Sequence, residues 1–161
     1  MALALRSLFL LCGLTGLLTG VGSFPSRFFN DVSCPEGWTQ VDLKCYILED
    51  DARMFQDAEA VCNILGGNMV SISNDLENIV VGAIGENGVS GATMWIGLFD
   101  NIKEGTYFWT DGTNNDFSSF RTGEPNSAVG DCVEIETSTG EWATVPCTTE
   151  HRFVCNRDAG H

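Results

Sequence analysis

RTGEPNSAVGDCVEIETSTGEWATVPC, residues Arg121 to Cys147, is the stretch on which the reading of the fold turns. It sets Glu124 and Asn126 on either side of Pro125, encloses a run of acids between Cys132 and Cys147, and holds one tryptophan, Trp142. Cys132-Val133-Glu134-Ile135-Glu136 alternates as a half-buried strand does, with Glu134 and Glu136 on the solvated face. Ser138-Thr139-Gly140 supplies a turn, and Trp142 opens the returning strand as a core residue. Upstream, from Asp111-Gly112 to Gly130, the chain has little periodicity and much Asn, Asp, Ser and Gly. A loop of that length inside a compact domain is usually functional. Clustered oxygen donors in such a loop are what a hard cation requires.

Working outward, Met94-Trp95-Ile96-Gly97-Leu98 is a short apolar run bounded by turns, which predicts a buried central strand, and Tyr107-Phe108-Trp109 predicts another. Phe153-Val154-Cys155 is a last strand. Near the other end, Cys34-Pro35-Glu36-Gly37-Trp38 turns into a strand whose antiparallel return is Lys44-Cys45-Tyr46-Ile47. A bridge between Cys34 and Cys45 would close that hairpin locally. Met54 to Leu65 carries Phe55, Ala58, Val61, Cys62 and Leu65 at helical spacing and is ended by Gly66-Gly67. After a short strand at Met69-Val70-Ser71-Ile72, Asn74 caps a second helix with Glu77 three positions on. Leu76, Ile79 and Val80 are its expected inward residues. Gly82, Gly85, Gly88 and Gly91 then read as a flexible surface connection. Trp38, Trp95 and Trp109 are expected in the core.

The chain of 161 residues begins with a secretory pattern: Arg6, an apolar run from Leu8 to Leu18, and small residues at Gly20, Gly22 and Ser23. A membrane anchor would need about 20 apolar residues, and this run is too short and too broken by glycine. The expected organisation is a leader at 1–23, a lead-in at 24–33, one domain at 34–157 and a tail at 158–161. About 138 residues remain after the leader, which suits one domain with a real core. Eight basic residues stand against 22 acidic ones, a formal net charge of −14. So acidic a surface repels nucleic acid and anionic membranes, so neither nucleic-acid binding nor membrane insertion is expected. Six cysteines follow the leader, Cys34, Cys45, Cys62, Cys132, Cys147 and Cys155. An even set in an exported chain predicts three disulfides, with 15 pairings open. No CxxC pair supports zinc.

Taken together, Cys34 to Cys155 resembles a C-type lectin domain. The residues that carry the likeness are Cys34-Pro35-Glu36-Gly37-Trp38, Asp57-Ala58-Glu59-Ala60-Val61-Cys62, Trp95-Ile96-Gly97-Leu98, Gly123-Glu124-Pro125-Asn126, Asp131-Cys132-Val133-Glu134-Ile135 and Phe153-Val154-Cys155, in that order. The resemblance implies an α+β fold: two helices, small antiparallel sheets, ends that meet, a long ligand-binding loop and three disulfides. It selects one pairing, Cys34 with Cys45, Cys62 with Cys155, and Cys132 with Cys147. It also implies a secreted sugar-binding lectin acting on microbial or host glycans in innate defence.

In that family Glu124, Asn126 and Asp131 would hold calcium, with Thr144 at a further ligand position and the Glu124–Pro125 bond cis. The Glu-Pro-Asn order is similar to the mannose type, which takes equatorial 3- and 4-hydroxyls of mannose, N-acetylglucosamine or fucose. The pattern then breaks. Trp142 is followed by Ala143-Thr144, where the family carries an Asn-Asp pair, and Gly130 stands where a glutamate is usual. Calcium takes 6–8 oxygens, so the shortfall would have to be met by neighbours such as Asp116, Asp131, Glu134 or Glu141. The alternative is a calcium-independent module of the same fold that binds a protein, mineral or ice surface. An enzyme is not expected: G-x-S-x-G and H-E-x-x-H are both absent, and no unpaired cysteine follows the leader. Single sugar sites bind weakly, so agglutination would call for a homo-oligomer.

Overall fold

Five consecutive residues of one strand, Met94 to Leu98, are buried, and the other elements are arranged about them. The computed structural model describes residues 32–87 and 91–160. The leader at 1–23, nearly all of the lead-in, Gly88 and the final residue of the tail lie outside the described residues. Ten elements follow in order: β1 (Thr39–Val41), β2 (Lys44–Arg53), α1 (Phe55–Ile64), β3 (Asn68–Met69), α2 (Asp75–Glu86), β4 (Thr93–Phe99), β5 (Phe108–Trp109), β6 (Cys132–Glu136), β7 (Trp142–Val145) and β8 (His151–Asp158).

The strands join in the order β1-β2-β8-β4-β6-β7, with β3 on β8 and β5 on β4. Every pair is antiparallel except β4 with β8. Side chains alternate across a strand, so β4 feeds both faces of the sheet. Met94, Ile96 and Leu98 pack with Val81, Trp109, Val133, Ile135 and Trp142 on one face. Trp95 packs with Phe55, Cys62, Phe153 and Cys155 on the other, under α1. That double burial is why β4 reads as an unbroken apolar run. The ends meet through a backbone bridge between Ser33 and Gly160.

All three disulfides are those the family resemblance implies: Cys34–Cys45, Cys62–Cys155 and Cys132–Cys147. At the start of α2, Asn74 accepts the Glu77 N–H at 2.9 Å, and Glu77 reaches back to the Ser73 N–H at 2.7 Å, so the capping box closes one residue early.

The inward face of α2 differs from the expectation. Leu76 and Ile79 are 64% and 67% exposed, Val80 is half-buried, and the buried residues are Asn78, Val81, Gly82 and Gly85. Nor do Gly82 and Gly85 belong to a flexible connection: they are the last turns of the helix. Glycine costs a helix about 1 kcal/mol relative to alanine, but here close approach compensates. A Cβ at Gly82 would stand 2.9 Å from the Thr137 carbonyl oxygen, and one at Gly85 would strike the Met94 side chain. The helix lies on the sheet through its smallest residues, which a hydropathy pattern cannot reveal.

Candidate functional site

Only three residues separate Trp142 from Pro146, and the long loop hangs from this short stretch. Trp142 is fully buried. Trp109, Phe117 and Phe120 meet its ring edge-on at centroid distances of 5.8, 5.6 and 5.6 Å. Its backbone N–H donates to the Ser119 carbonyl at 2.9 Å, and its carbonyl accepts the Arg121 N–H at 3.0 Å. Its indole N–H donates to Asn78 Oδ1 at 2.9 Å, and Asn78 Nδ2 donates to the Gly140 carbonyl at 2.9 Å. A segment with no helix and only an isolated bridge is thereby fixed from Phe117 to Arg121, and the residues after it are delivered against β7.

Those residues are the proline tripeptide. The Glu124–Pro125 bond is cis, as the resemblance implies. The Thr144 hydroxyl donates to Glu124 Oε2 at 2.5 Å, and the Thr144 N–H donates to the same oxygen at 3.1 Å. The hydroxyl oxygen in turn accepts the Asn126 N–H at 2.9 Å. Thr144 is 1% exposed, so this clasp is shielded from water. Burial pushes the Glu124 carboxyl up, but the two Thr144 donors, helped by the Arg121 guanidinium 3.7 Å from Oε1, hold it below the usual carboxylate range.

The donor set does not fit a calcium ion. The position beside Glu124 where a ligand carboxylate would add negative charge presents an O–H and an N–H instead. Asn126 Oδ1 is occupied by the Ala128 N–H at 3.2 Å. At Gly130 even a Cβ would collide with the Val145 carbonyl and the Pro146 nitrogen, so no glutamate can stand there. Among the described residues no three His, Cys, Asp or Glu side chains group so as to hold a metal. Glu134 is turned away to His151, its Oε2 2.9 Å from Nε2.

Of the residues singled out in the sequence, Glu124, Asn126 and Thr144 are brought into direct contact. Asp131 lies further along, where its carbonyl accepts the Asp100 N–H at 2.9 Å. Asp100 and Tyr107 were not legible as members of this region. Asp100 is 1% exposed, with Oδ2 accepting the Gly105 N–H at 2.9 Å. Burial, then the charge of Asp100, pushes the nearby Tyr107 phenol up to about 12. Asp100 Oδ1 and the Tyr107 hydroxyl are both buried without an aligned partner. The aromatic residues inside the loop were the available signal: Tyr107 packs on Phe120 at 5.5 Å, and Phe120 on Trp142.

Thr144→Val tests the clasp. Valine keeps the volume and removes the hydroxyl, and a hydrogen bond to a charged group contributes about 1.5–3 kcal/mol, so stability should fall by that amount at neutral pH. A carboxyl depressed in the folded state contributes stability that is present above its unfolded value and lost as pH falls through the folded one. Wild-type stability should therefore drop as pH is lowered below 4.5, and the variant should drop less. Urea unfolding at pH 7 and pH 3 measures both; equal pH dependence in the two proteins would refute the clasp.

The comparisons with known proteins agree with this architecture. The family profile described as Lectin C-type domain matches residues 51–157. Lithostathine-1-alpha of Homo sapiens is 36% identical over 129 residues, covering 77% of this chain and 78% of its own. The galactose-specific lectin nattectin of Thalassophryne nattereri is 31% identical over 154 residues, covering 94% and 93%. A solved calcium-independent type II antifreeze protein superposes with a TM-score of 0.72 at 28% identity, over 79% of this chain and 95% of that one. With the family profile spanning most of the domain and the disulfides, cis proline and long loop all in place, the chain belongs to the C-type lectin domain family.

Proposed function

We propose that this is a secreted lectin that binds mannose-type sugars through Glu124 and Asn126 without requiring calcium. One observation carries the reading: the Thr144 hydroxyl ties Glu124 and Asn126 to β7 directly, so the protein's own bonds hold the tripeptide. A pair of adjacent sugar hydroxyls needs one acceptor and one donor at fixed spacing. Glu124 Oε1 supplies the acceptor, because Thr144 engages only Oε2. Asn126 Nδ2 supplies the donor, because the turn at Ala128 uses only Oδ1. The depressed Glu124 carboxyl keeps the acceptor charged, and bonds to charged groups are the stronger kind. The acid-before-amide order favours equatorial 3- and 4-hydroxyls, so mannose, N-acetylglucosamine and fucose are the expected ligands, with galactose as the control.

The mature chain should be retained on mannose resin, released by free mannose, and unmoved by a calcium chelator or by galactose. Asn126→Asp, which turns the donor into a second acceptor, should weaken retention by about 10-fold or more, the loss of one charge-assisted or neutral bond with the repulsion that replaces it. Release by chelator would overturn the calcium-independent reading, and absence of retention would overturn the sugar reading. A second reading, a module for a protein, mineral or ice surface, is supported by the calcium-independent antifreeze protein of the same fold. Thermal hysteresis in a solution that ignores mannose would establish it.

A further inference from the structure

A cavity of about 350 Å³ opens where α1 and β8 end and the long loop begins, and Gly66, Asn68, Asp111, Thr113, Asn156 and Arg157 line it. It shares no residue with the clasp of Glu124, Asn126 and Thr144. Asn156 is 7% exposed, set in register between Tyr46 of β2 and Asn68 of β3, yet no group among the described residues hydrogen-bonds its side-chain amide. A buried amide is rarely left without a partner, and here the partner must come from the cavity. Arg157 is the second unusual group. Arg53, Arg121 and Arg152 each pair with a carboxylate, and Arg157 alone among the described arginines does not. Its guanidinium is held by other means: Nη1 donates to the Leu65 carbonyl at 3.3 Å, and the Trp38 ring centroid lies 6.0 Å from its central carbon. Gly66 leaves the space, since a Cβ there would stand 3.0 Å from Nη1, at a φ of +84° that favours glycine in any case. The donor fork is thus fixed before a ligand arrives, with N–H groups to spare.

We propose that this cavity binds one neutral sugar residue, whose hydroxyls exchange hydrogen bonds with the Asn156 amide and accept from the Arg157 guanidinium. The charges choose the ligand class. Lys44 and Arg157 share the lining with Asp111 and Asp158, so the cavity is formally balanced in a chain of net charge −14. Asp111 is already engaged by the Ser71 hydroxyl and by the N–H and hydroxyl of Thr113. An anion would meet two carboxylates here and a cation two bases, whereas a polyol finds donors and acceptors together. A hydroxyl also replaces a bound water without losing its hydrogen bonds. The volume falls at the lower end of the range of about 300–1,000 Å³ that ligand pockets occupy, which suits one ring rather than a chain of them. Two sugar sites on one chain would let a monomer bridge two glycans, so cross-linking would not wait on an oligomer. The second site stands whether or not the loop binds sugar.

The test is to titrate the nitrogen-labelled mature chain with methyl α-mannoside, methyl α-glucoside and methyl β-galactoside, following the Asn156 side-chain amide and the Arg157 Nε–H by NMR. At least one glycoside should move both signals saturably at millimolar concentration. The movement should persist in Asn126→Asp, which impairs the loop site. Arg157→Gln should weaken the response at Asn156 by about 10-fold or more, the loss of a charge-assisted hydrogen bond. Signals that stay still with every glycoside in the wild-type chain would overturn the proposal. So would movement that disappears in Asn126→Asp, which would mark a response relayed from the loop, and movement produced equally by sodium sulfate, which would mark an anion site.

Discussion

Trp142→Ala is expected to destabilise the domain by about 4–8 kcal/mol, enough to consume most of a small domain's stability. Two losses combine. Truncating a buried tryptophan costs about 3–5 kcal/mol in transfer and cavity terms. The change also strips Asn78 Oδ1 of its indole donor, and a buried acceptor left unpaired costs about 1–3 kcal/mol. Trp142→Phe weights the second, because it retains an aromatic ring for Phe117, Phe120 and Trp109 while removing the N–H and the smaller part of the indole. It should cost clearly less than the alanine variant. Urea unfolding gives both values. In whatever fraction of Trp142→Ala folds, the segment from Thr113 to Asp131 should be cut rapidly by protease and mannose retention should be lost, because the loop hangs from this ring. A loss below about 2 kcal/mol with the loop still protected would mean that the loop is held by something else.

Removing the Cys62–Cys155 bridge as Cys62→Ala/Cys155→Ala should cost about 4–5 kcal/mol in the chain-entropy model, since it closes a separation of 93 residues. The bridges at separations of 11 and 15 restrict far less of the unfolded chain and should each cost about 3 kcal/mol or less. Both sulfurs are buried between α1 and β8, so two alanines also leave an under-filled core there. Denaturant midpoints of the three double variants should rank in that order, with Cys62→Ala/Cys155→Ala lowest. Equal midpoints would show that native-state packing, not chain restriction, sets the contribution.

What could be read from the sequence was what alternates or repeats. β4 announced itself by unbroken apolarity, β6 by strict alternation, and α1 by Phe55, Ala58 and Cys62 at helical spacing, all three of which are buried. The buried face of α2 could not be read this way. Apart from Val81 it is made of Asn78, Gly82 and Gly85, whose value lies in hydrogen bonding and in absent atoms, while Leu76 and Ile79 face outward. Within the site, Glu124, Asn126 and Thr144 were legible as types at positions. That Thr144 completes a hydrogen-bonded clasp required knowing that its hydroxyl and amide point at one carboxylate oxygen. Asp100 and Tyr107 enter through packing alone, since nothing in their spacing relates them to the proline tripeptide.

The meeting of Ser33 and Gly160 has a mechanical consequence. A pull applied to the two ends would not load the sheet in shear. It would open the domain from one edge, parting Ser33 from Gly160 and then β2 from β8, one hydrogen-bonded rung after another. On the β8 side the opening would stop at Cys155 and on the other it could run on through β2 and α1 to Cys62, because the bond joining the two cysteines carries the load past everything between them. Some 93 residues, about 300 Å of contour, would never come under tension. Strung between two anchored surfaces, this protein would yield a limited length at low force and then hold, with the loop that carries Glu124 and the strand that carries Thr144 outside the line of force.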